Sequence, residues 1–430
     1  MSETPEMRFT DLELPDELLE GVRAAGFESC TPIQAMTLPR ALKGHDIAGQ
    51  AQTGTGKTAA FLLAAFNQLL RNPVDVDPQI SSPRALLIAP TRELAIQIHA
   101  DALVLGKATG YRMNVVYGGE DYEKQRNLLA QGVDVLIGTP GRLIDYFKQK
   151  VFSLKNVQVI VLDEADRMFD LGFIKDIRYV LRRLPPAENR LNLMYSATLN
   201  QRVLELAYEH MNEPETVRIE PDKLTVDKVT QIVYFPSNDE KAALLIHVLR
   251  SMEAIRTMVF VNTKRQADQL SRLLQHNGLA AQAISGDVPQ KKRIRMLRDF
   301  QSGELPVLIA TDVASRGLHV PDVSHVVNYD LPQDPEDYVH RIGRTARAGA
   351  SGDAISFACE TFAFTLPEIE SFIGHRIPTG SIDHENLPVV EAAPYKPRAR
   401  QQFKSGGKHG QKKRPGRNQG RKRRSKPKSG

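Results

Sequence analysis

The octapeptide AQTGTGKT, Ala51 to Thr58, is the stretch whose residue types and order point most directly to a chemistry. Gly54 and Gly56 let the backbone curl so that its N–H groups converge on an anion, and the start of the next helix adds partial positive charge. Lys57 can reach the outer phosphates of a nucleoside triphosphate, and the Thr58 hydroxyl can ligate magnesium. Ala51 stands where the strict pattern G-x-x-x-x-G-K-[ST] has its first glycine. Further along, Asp163-Glu164-Ala165-Asp166 closes the apolar run Gln158–Leu162. In this pair Asp163 would hold the ion through water, because magnesium keeps much of its hydration. Glu164 would orient and deprotonate an attacking water. The plain structural readings are a Gly-rich strand–helix turn and a solvated helix cap, but two matching halves of one magnesium–nucleotide site favour triphosphate hydrolysis.

Such residues need strand ends to position them. Short apolar runs alternate with helical patterns: Asp46–Ala48, Arg84–Ala89, Met113–Tyr117, Asp134–Ile137, Gln158–Leu162 and Leu191–Tyr195, with helices at Ala59–Phe66, Arg92–Leu105 and Ile174–Leu184. An amphipathic helix is expected between Pro15 and Gly26. After a polar stretch near Glu213–Lys228 a second series follows: Gln231–Phe235, Thr257–Val261, Ala281–Ile284, Pro306–Ala310, His325–Asn328 and Asp353–Phe357. Alternation of this kind predicts two α/β domains with parallel sheets, and ligands at the carboxyl ends of their strands.

The 430 residues suit two or three domains. The longest apolar run is far too short to span a bilayer, so no membrane association is expected. Cys30 and Cys359 are the only cysteines and offer neither a metal-ligand spacing nor a disulfide framework, which fits a reducing cytoplasm. Residues 396–430 hold 15 Lys or Arg and no acid; subtracting that charge from the net +6 leaves −9 for residues 1–395. A mildly acidic body therefore carries a strongly basic tail, expected to be disordered and to track RNA phosphates without sequence choice.

The word Asp163-Glu164-Ala165-Asp166 is the name-giving motif of the DEAD-box RNA helicases, and the chain resembles that family from about Phe9 to about Pro378. In family order come GFESCTPIQ (26–34), AQTGTGKT (51–58), PTREL (90–94), Gly118-Gly119, TPGR (139–142), DEAD (163–166), SAT (196–198), VFVNT (259–263), Gln290 with Arg293, ATDVASRG (310–317) and HRIGRTAR (340–347). The resemblance implies tandem RecA-like, phosphate-loop domains. The corresponding division is an N-terminal segment 1–38, an ATP-binding domain 39–218, a linker 219–229, a C-terminal helicase domain 230–390 and the basic RNA-binding tail 391–430.

The resemblance also implies roles. Phe27 would stack on adenine and Gln34 would pair with its amino group and N7, selecting ATP, while Ala51, Gln52, Thr53, Gly54, Thr55, Gly56, Lys57 and Thr58 would cradle the phosphates and Thr58 and Asp163 the magnesium. The bland reading of Phe27 is a helix-end core residue. Arg344 and Arg347 resemble arginine fingers. Arg341 is expected to brace the interface, Asp312 to hold its loop, and Ser196 and Thr198 to tie Asp166 to domain closure. Thr91, Arg92, Gly119, Thr139, Gly141 and Arg142, with Gln290, Arg293 and Thr311, match positions that grip the RNA backbone, Gly317 marking the same second-domain motif. Cys30 replaces a usual Pro, Ala346 a frequent Gly, and His319 an Asp that touches the ribose, so that ribose contact is not carried over. RGLHVP (316–321), KQRNLL (124–129), DLGFIKDIR (170–178) and IGHRIP (373–378) are similar to a bacterial branch of the family that acts in RNA degradation, which implies a degradosome and an RNase E-type endonuclease as partner. The expected function is local, ATP-driven unwinding of RNA duplexes. The alternatives are an ATP-gated RNA clamp with slow hydrolysis and a DNA helicase or translocase.

Overall fold

The computed structural model describes residues 7–51, 54–74, 81–219, 229–252, 256–285, 288–315, 323–345 and 352–393. The first lobe is built on β1 (Ile47–Gln50), β2 (Ala85–Ile88), β3 (Met113–Val116), β4 (Val135–Gly138), β5 (Val159–Leu162), β6 (Leu191–Ser196) and β7 (Glu215–Arg218), in the order β3-β4-β2-β5-β6-β1-β7. The second contains β8 (Val229–Tyr234), β9 (Thr257–Phe260), β10 (Ala281–Ile284), β11 (Val307–Ala310), β12 (His325–Asn328) and β13 (Gly352–Phe357), in the order β10-β11-β9-β12-β13-β8. All pairings between these strands are parallel.

Central strands such as ALLI, VIVL and VLIA are apolar at every position because both faces of a parallel sheet are covered. Successive residues point to opposite faces. Ala85 and Leu87 pack with the helices Asp16–Ala24, Pro32–Ala41, Lys57–Arg71 and Arg92–Leu105, while Leu86 and Ile88 pack with Pro140–Lys148, Ile174–Leu181 and Gln201–His210. The second sheet divides likewise, Val259 and Ile309 to one core, Met258 and Leu308 to the other.

One element departs from the sequence expectation, and one forms where none was expected. β7, ETVR, falls in the stretch read as losing its periodicity: it is a largely polar edge strand, and its pairing with β1 defines it. The segment after Cys30 is a helix, Pro32–Ala41, despite Pro39. Most of the expected linker, and the basic tail from residue 394, lie outside the described residues. No helix among the described residues is long and apolar enough to cross a membrane.

Candidate active site

β1 delivers the phosphate loop at its carboxyl end. Ala51 is buried, its N–H donates to the Ser196 carbonyl at 3.0 Å, and its own carbonyl accepts from Lys57 Nζ at 2.7 Å. Gln52 and Thr53 lie outside the described residues. Gly54 and Gly56 have φ of 88° and 91°. At Gly56 the requirement is double, since a Cβ would also stand 2.5 Å from Gln34 Nε2 and 2.9 Å from Thr31 Oγ1. Thr55 and Thr58 are half-buried, and Lys57 opens the helix Lys57–Arg71.

A cavity of about 710 Å³ runs from this loop to Phe27, with Gln34, Gly54, Gly56, Lys57, Thr58, Asp163 and Glu164 in its wall. Phe27 is 41% exposed, and its ring stacks on buried Phe9 with centroids 6.2 Å apart. It is therefore a rim residue with an available surface rather than a helix-end core residue. Gln34 is buried; its Oε1 accepts from the Thr31 N–H at 2.8 Å and its Nε2 donates to the Gly56 carbonyl at 3.0 Å. One amide hydrogen and one lone pair are left for a base edge, so the side chain ties the base end of the cavity to the phosphate loop. The helix Arg92–Leu105 forms another wall. Leu94, Gln97, Asp101 and Val104 follow a three-then-four spacing and share one face of it. Burial pushes the Asp101 carboxyl up to about 6.

The acidic loop leaves β5. Asp163 is 3% exposed, and burial, only partly offset by Lys57, pushes its carboxyl up to about 6, with Glu164 adding to the rise. The Glu164 N–H donates to Asp163 Oδ1 at 2.9 Å. Glu164 has φ of 52°, in the left-handed region that non-glycine residues seldom occupy, and caps the helix Ala165–Asp170. Asp166 Oδ2 accepts from the N–H and hydroxyl of Thr198 at 3.1 and 3.2 Å, and the Asp166 N–H donates to Ser196 Oγ at 3.1 Å. The SAT segment is thus bonded to the acidic loop through the residues expected to connect them.

The second lobe faces this loop. A cavity of about 340 Å³ is lined by Glu164, Asp166 and Thr198 on one side and by Asp337, His340 and Arg344 on the other. Arg344 is buried. Arg347, and Gly317, His319 and Ala346 with it, lie outside the described residues. Arg341 differs from its expectation. It is 1% exposed and grips Asp312 with Nε and Nη2 at 2.6 and 2.7 Å, while Nη1 donates to the Asp330 carbonyl at 2.6 Å. Its donors are spent inside its own lobe, where it anchors the turn after β11 and does not brace an interface. Arg293 also differs. It pairs with Glu93 of the first lobe at 2.8 Å and donates to the Ala314 carbonyl at 3.0 Å, and burial, countered by Glu93, lowers its pKa. In this structure its charge bridges the lobes and is not presented to a ligand. Thr311 is buried and its Oγ1 accepts from the Ala314 N–H at 3.4 Å; Gln290 opens the helix Gln290–Gln301.

The remaining first-lobe candidates gather at the carboxyl ends of β2, β3 and β4. Thr91 caps the Arg92–Leu105 helix. Arg92 lies against Gly119, where φ is 87° and a Cβ would stand 2.4 Å from the guanidinium. Thr139 is buried and its N–H donates to the Val116 carbonyl at 3.1 Å; Gly141 is exposed to open space. Arg142 lies over the rings of Tyr122 and Tyr146 at 5.0 and 5.4 Å and donates to the Tyr146 hydroxyl at 3.1 Å. Neither this tyrosine platform nor the pairing of Glu164 with Arg167 is anticipated from sequence. The i, i+3 spacing of Glu164 and Arg167 was the available signal for the second.

A phosphate loop and an acidic strand end in one α/β lobe, faced by an arginine of a second, define a nucleoside triphosphatase of two lobes. Residues 31–206 match the DEAD/DEAH box helicase family and residues 240–349 the helicase conserved C-terminal domain. The chain belongs to the DEAD-box helicases, and it is an ATP-hydrolysing RNA helicase. Among its relatives it is similar to the ATP-dependent RNA helicase RhlB of Xanthomonas axonopodis pv. citri, 57% identical over 92% of this chain and 70% of that one. The RhlB of Shewanella denitrificans is 55% identical over 90% of both chains. Of solved structures, S. cerevisiae Dbp5 bound to RNA and ADP BeF3 superposes with a TM-score of 0.76 at 33% identity, covering 86% of this chain and 95% of that one. Mss116p bound to ssRNA and AMP-PNP superposes with 0.77 at 28% identity, covering 90% and 82%.

Proposed function

We propose that this RhlB-type helicase separates short RNA duplexes locally, that RNA-promoted closure of its lobes switches on ATP hydrolysis, and that it acts in RNA degradation beside an RNase E-type endonuclease in the cytoplasm. The observation that carries the coupling is the cavity shared by Glu164 and Thr198 of one lobe and Arg344 of the other. Hydrolysis needs groups from both lobes, so a ligand that bridges them raises the rate, and ATP and RNA must strengthen each other's binding by the same factor.

The residues divide the work. Phe27 and Gln34 take the base; Ala51 to Thr58, with Lys57, take the phosphates; Glu164 takes the proton of the attacking water; Arg344, and Arg347 outside the described residues, stabilise charge on the transferring phosphoryl. Thr91, Arg92, Gly119, Thr139, Gly141, Arg142, Gln290 and Thr311 hold RNA through its backbone, supported by the RNA in the Dbp5 structure. The donor set suits magnesium. Thr58 supplies a hydroxyl and Asp163 a buried carboxylate that gains from a neighbouring cation, leaving water and phosphate oxygens to complete an octahedral shell. Bound there, magnesium would neutralise charge on the phosphates.

Steady-state ATPase of the full chain and of a 1–395 truncation, with and without single-stranded RNA, tests the reading. RNA stimulation in both proteins that disappears in Glu164→Gln is expected. Absence of stimulation in every condition would overturn it. Strand displacement with blunt and tailed duplexes separates unwinding from an ATP-gated clamp, DNA in place of RNA addresses a DNA translocase, and capture of an RNase E-type partner on the immobilised chain tests the degradation role.

A further inference from the structure

Arg167 directly follows the acidic loop. It is 5% exposed. Its Nη1 donates to Glu164 Oε2 at 2.9 Å, and its Nη2 donates to the Val313 carbonyl of the second lobe at 3.3 Å. The two nitrogens belong to one rigid planar fork, so the position of one fixes the other.

The far end of this link is well anchored. Asp312 is held by Nε and Nη2 of Arg341, and Thr311 Oγ1 accepts from the Ala314 N–H. The turn therefore presents two successive carbonyls, Val313 and Ala314. One receives Arg167 from the first lobe; the other receives Arg293, which is itself paired with Glu93 of the first lobe. The near end is equally specific. Glu164 stands in a left-handed backbone conformation at the head of a short helix, and it lines both the nucleotide cavity and the interlobe cavity.

We propose that Arg167 is a positioning residue that transmits lobe closure to Glu164. With the second lobe seated, the Val313 carbonyl fixes the plane of the guanidinium, and Nη1 then holds one carboxylate oxygen so that the other is aimed at the nucleotide. With the lobes apart, that carbonyl is withdrawn, the guanidinium loses its second-lobe anchor and Glu164 loses the aim that the anchor set. A misplacement of about 1 Å at a reacting group can cost about 10²-fold in rate, so a single interlobe hydrogen bond suffices as a switch. The inference rests on the proposed role of closure in hydrolysis.

The test uses the full chain with Arg167→Lys and Arg167→Gln, each assayed for kcat and KM for ATP with and without single-stranded RNA. Lysine keeps a cation beside Glu164 but has no second arm for Val313. The expected result is that the ratio of RNA-stimulated to RNA-free kcat falls about 10-fold to 100-fold in both variants, while KM for ATP stays close to wild type. Full restoration of the ratio by lysine would reduce Arg167 to a charge-balancing residue and overturn the proposal, as would a wild-type ratio in Arg167→Gln. Should Arg167→Gln fail to fold, the lysine variant decides alone. A wild-type chain that RNA does not stimulate would instead overturn the closure reading itself, so the two failures are distinct.

Discussion

Replacing Arg293 by Gln, Glu93 by Gln, and both together distinguishes a strut between the lobes from a grip on RNA. The side chains are 11% and 12% exposed and 2.8 Å apart. A pair of this kind near a protein surface attracts by up to about 4 kcal/mol before desolvation. Burial of Arg293, which lowers its pKa against the pull of Glu93, takes back part of that. A coupling of about 1–3 kcal/mol, or about 5-fold to 150-fold in the RNA affinity of the ATP-analogue-bound state, should survive. The assay is a double-mutant cycle on RNA dissociation constants measured at several salt concentrations. A strut predicts that each single change weakens RNA binding, that the double change costs far less than their sum, and that the salt slope is unaltered. A phosphate contact predicts a slope shallower by about 0.7 for the arginine change and no loss for the glutamate change. Additivity within about 0.5 kcal/mol together with that shallower slope would refute the strut.

Three further outcomes follow from the geometry. Gly56→Ala should abolish ATP binding while leaving the second lobe's unfolding unchanged, because its Cβ would strike Gln34 in a backbone state at φ 91°; ATP-analogue titration and thermal melts read both. Asp101→Asn should stabilise the nucleotide-free chain at pH 8 by about 1 kcal/mol, the shift from 3.8 to about 6 being discounted for partial solvent exposure. A carboxyl whose pKa is raised on folding loses stability as pH climbs from about 4 to about 6, so urea unfolding should find the gap between variant and wild type closing below pH 4. Arg341→Ala should cost about 3–5 kcal/mol, because Asp312 would be left as an uncompensated carboxylate against a buried network; a denaturation midpoint close to wild type would contradict the anchoring role given to it.

The parts that sequence made visible share a physical cause. Each is local: a glycine-rich turn between a strand and a helix, an acidic pair at the end of VIVL, a serine and threonine one strand away. Strands buried on both faces announce themselves as unbroken apolar runs, and the expected and observed limits of β2, β5 and β11 differ by about one residue. What stayed hidden depends on partners far along the chain. β7 is polar and is a strand through its pairing with β1. Arg293 and Arg341 carry the residue type expected of phosphate ligands, and sequence does not disclose that Glu93 and Asp312 already neutralise them. Phe27 was open between a ring for stacking and a core residue until Phe9 was seen beneath it.

The order of the strands has a consequence for synthesis. β1, which carries the phosphate loop, lies between β6 and β7, and β8 pairs with β13, the last strand of its own sheet. Each lobe is closed by chain made long after its first strand: at about 5–20 residues per second, the roughly 140 residues separating β1 from β6 take about 7–28 s to emerge. Through that interval β1 has neither neighbour and Ser196 is not yet there to receive the Ala51 N–H. Ribosome-bound chains ending before Leu191 should therefore be cut readily by protease and fail to retain ATP, and chains whose β7 has cleared the exit tunnel should gain both properties together.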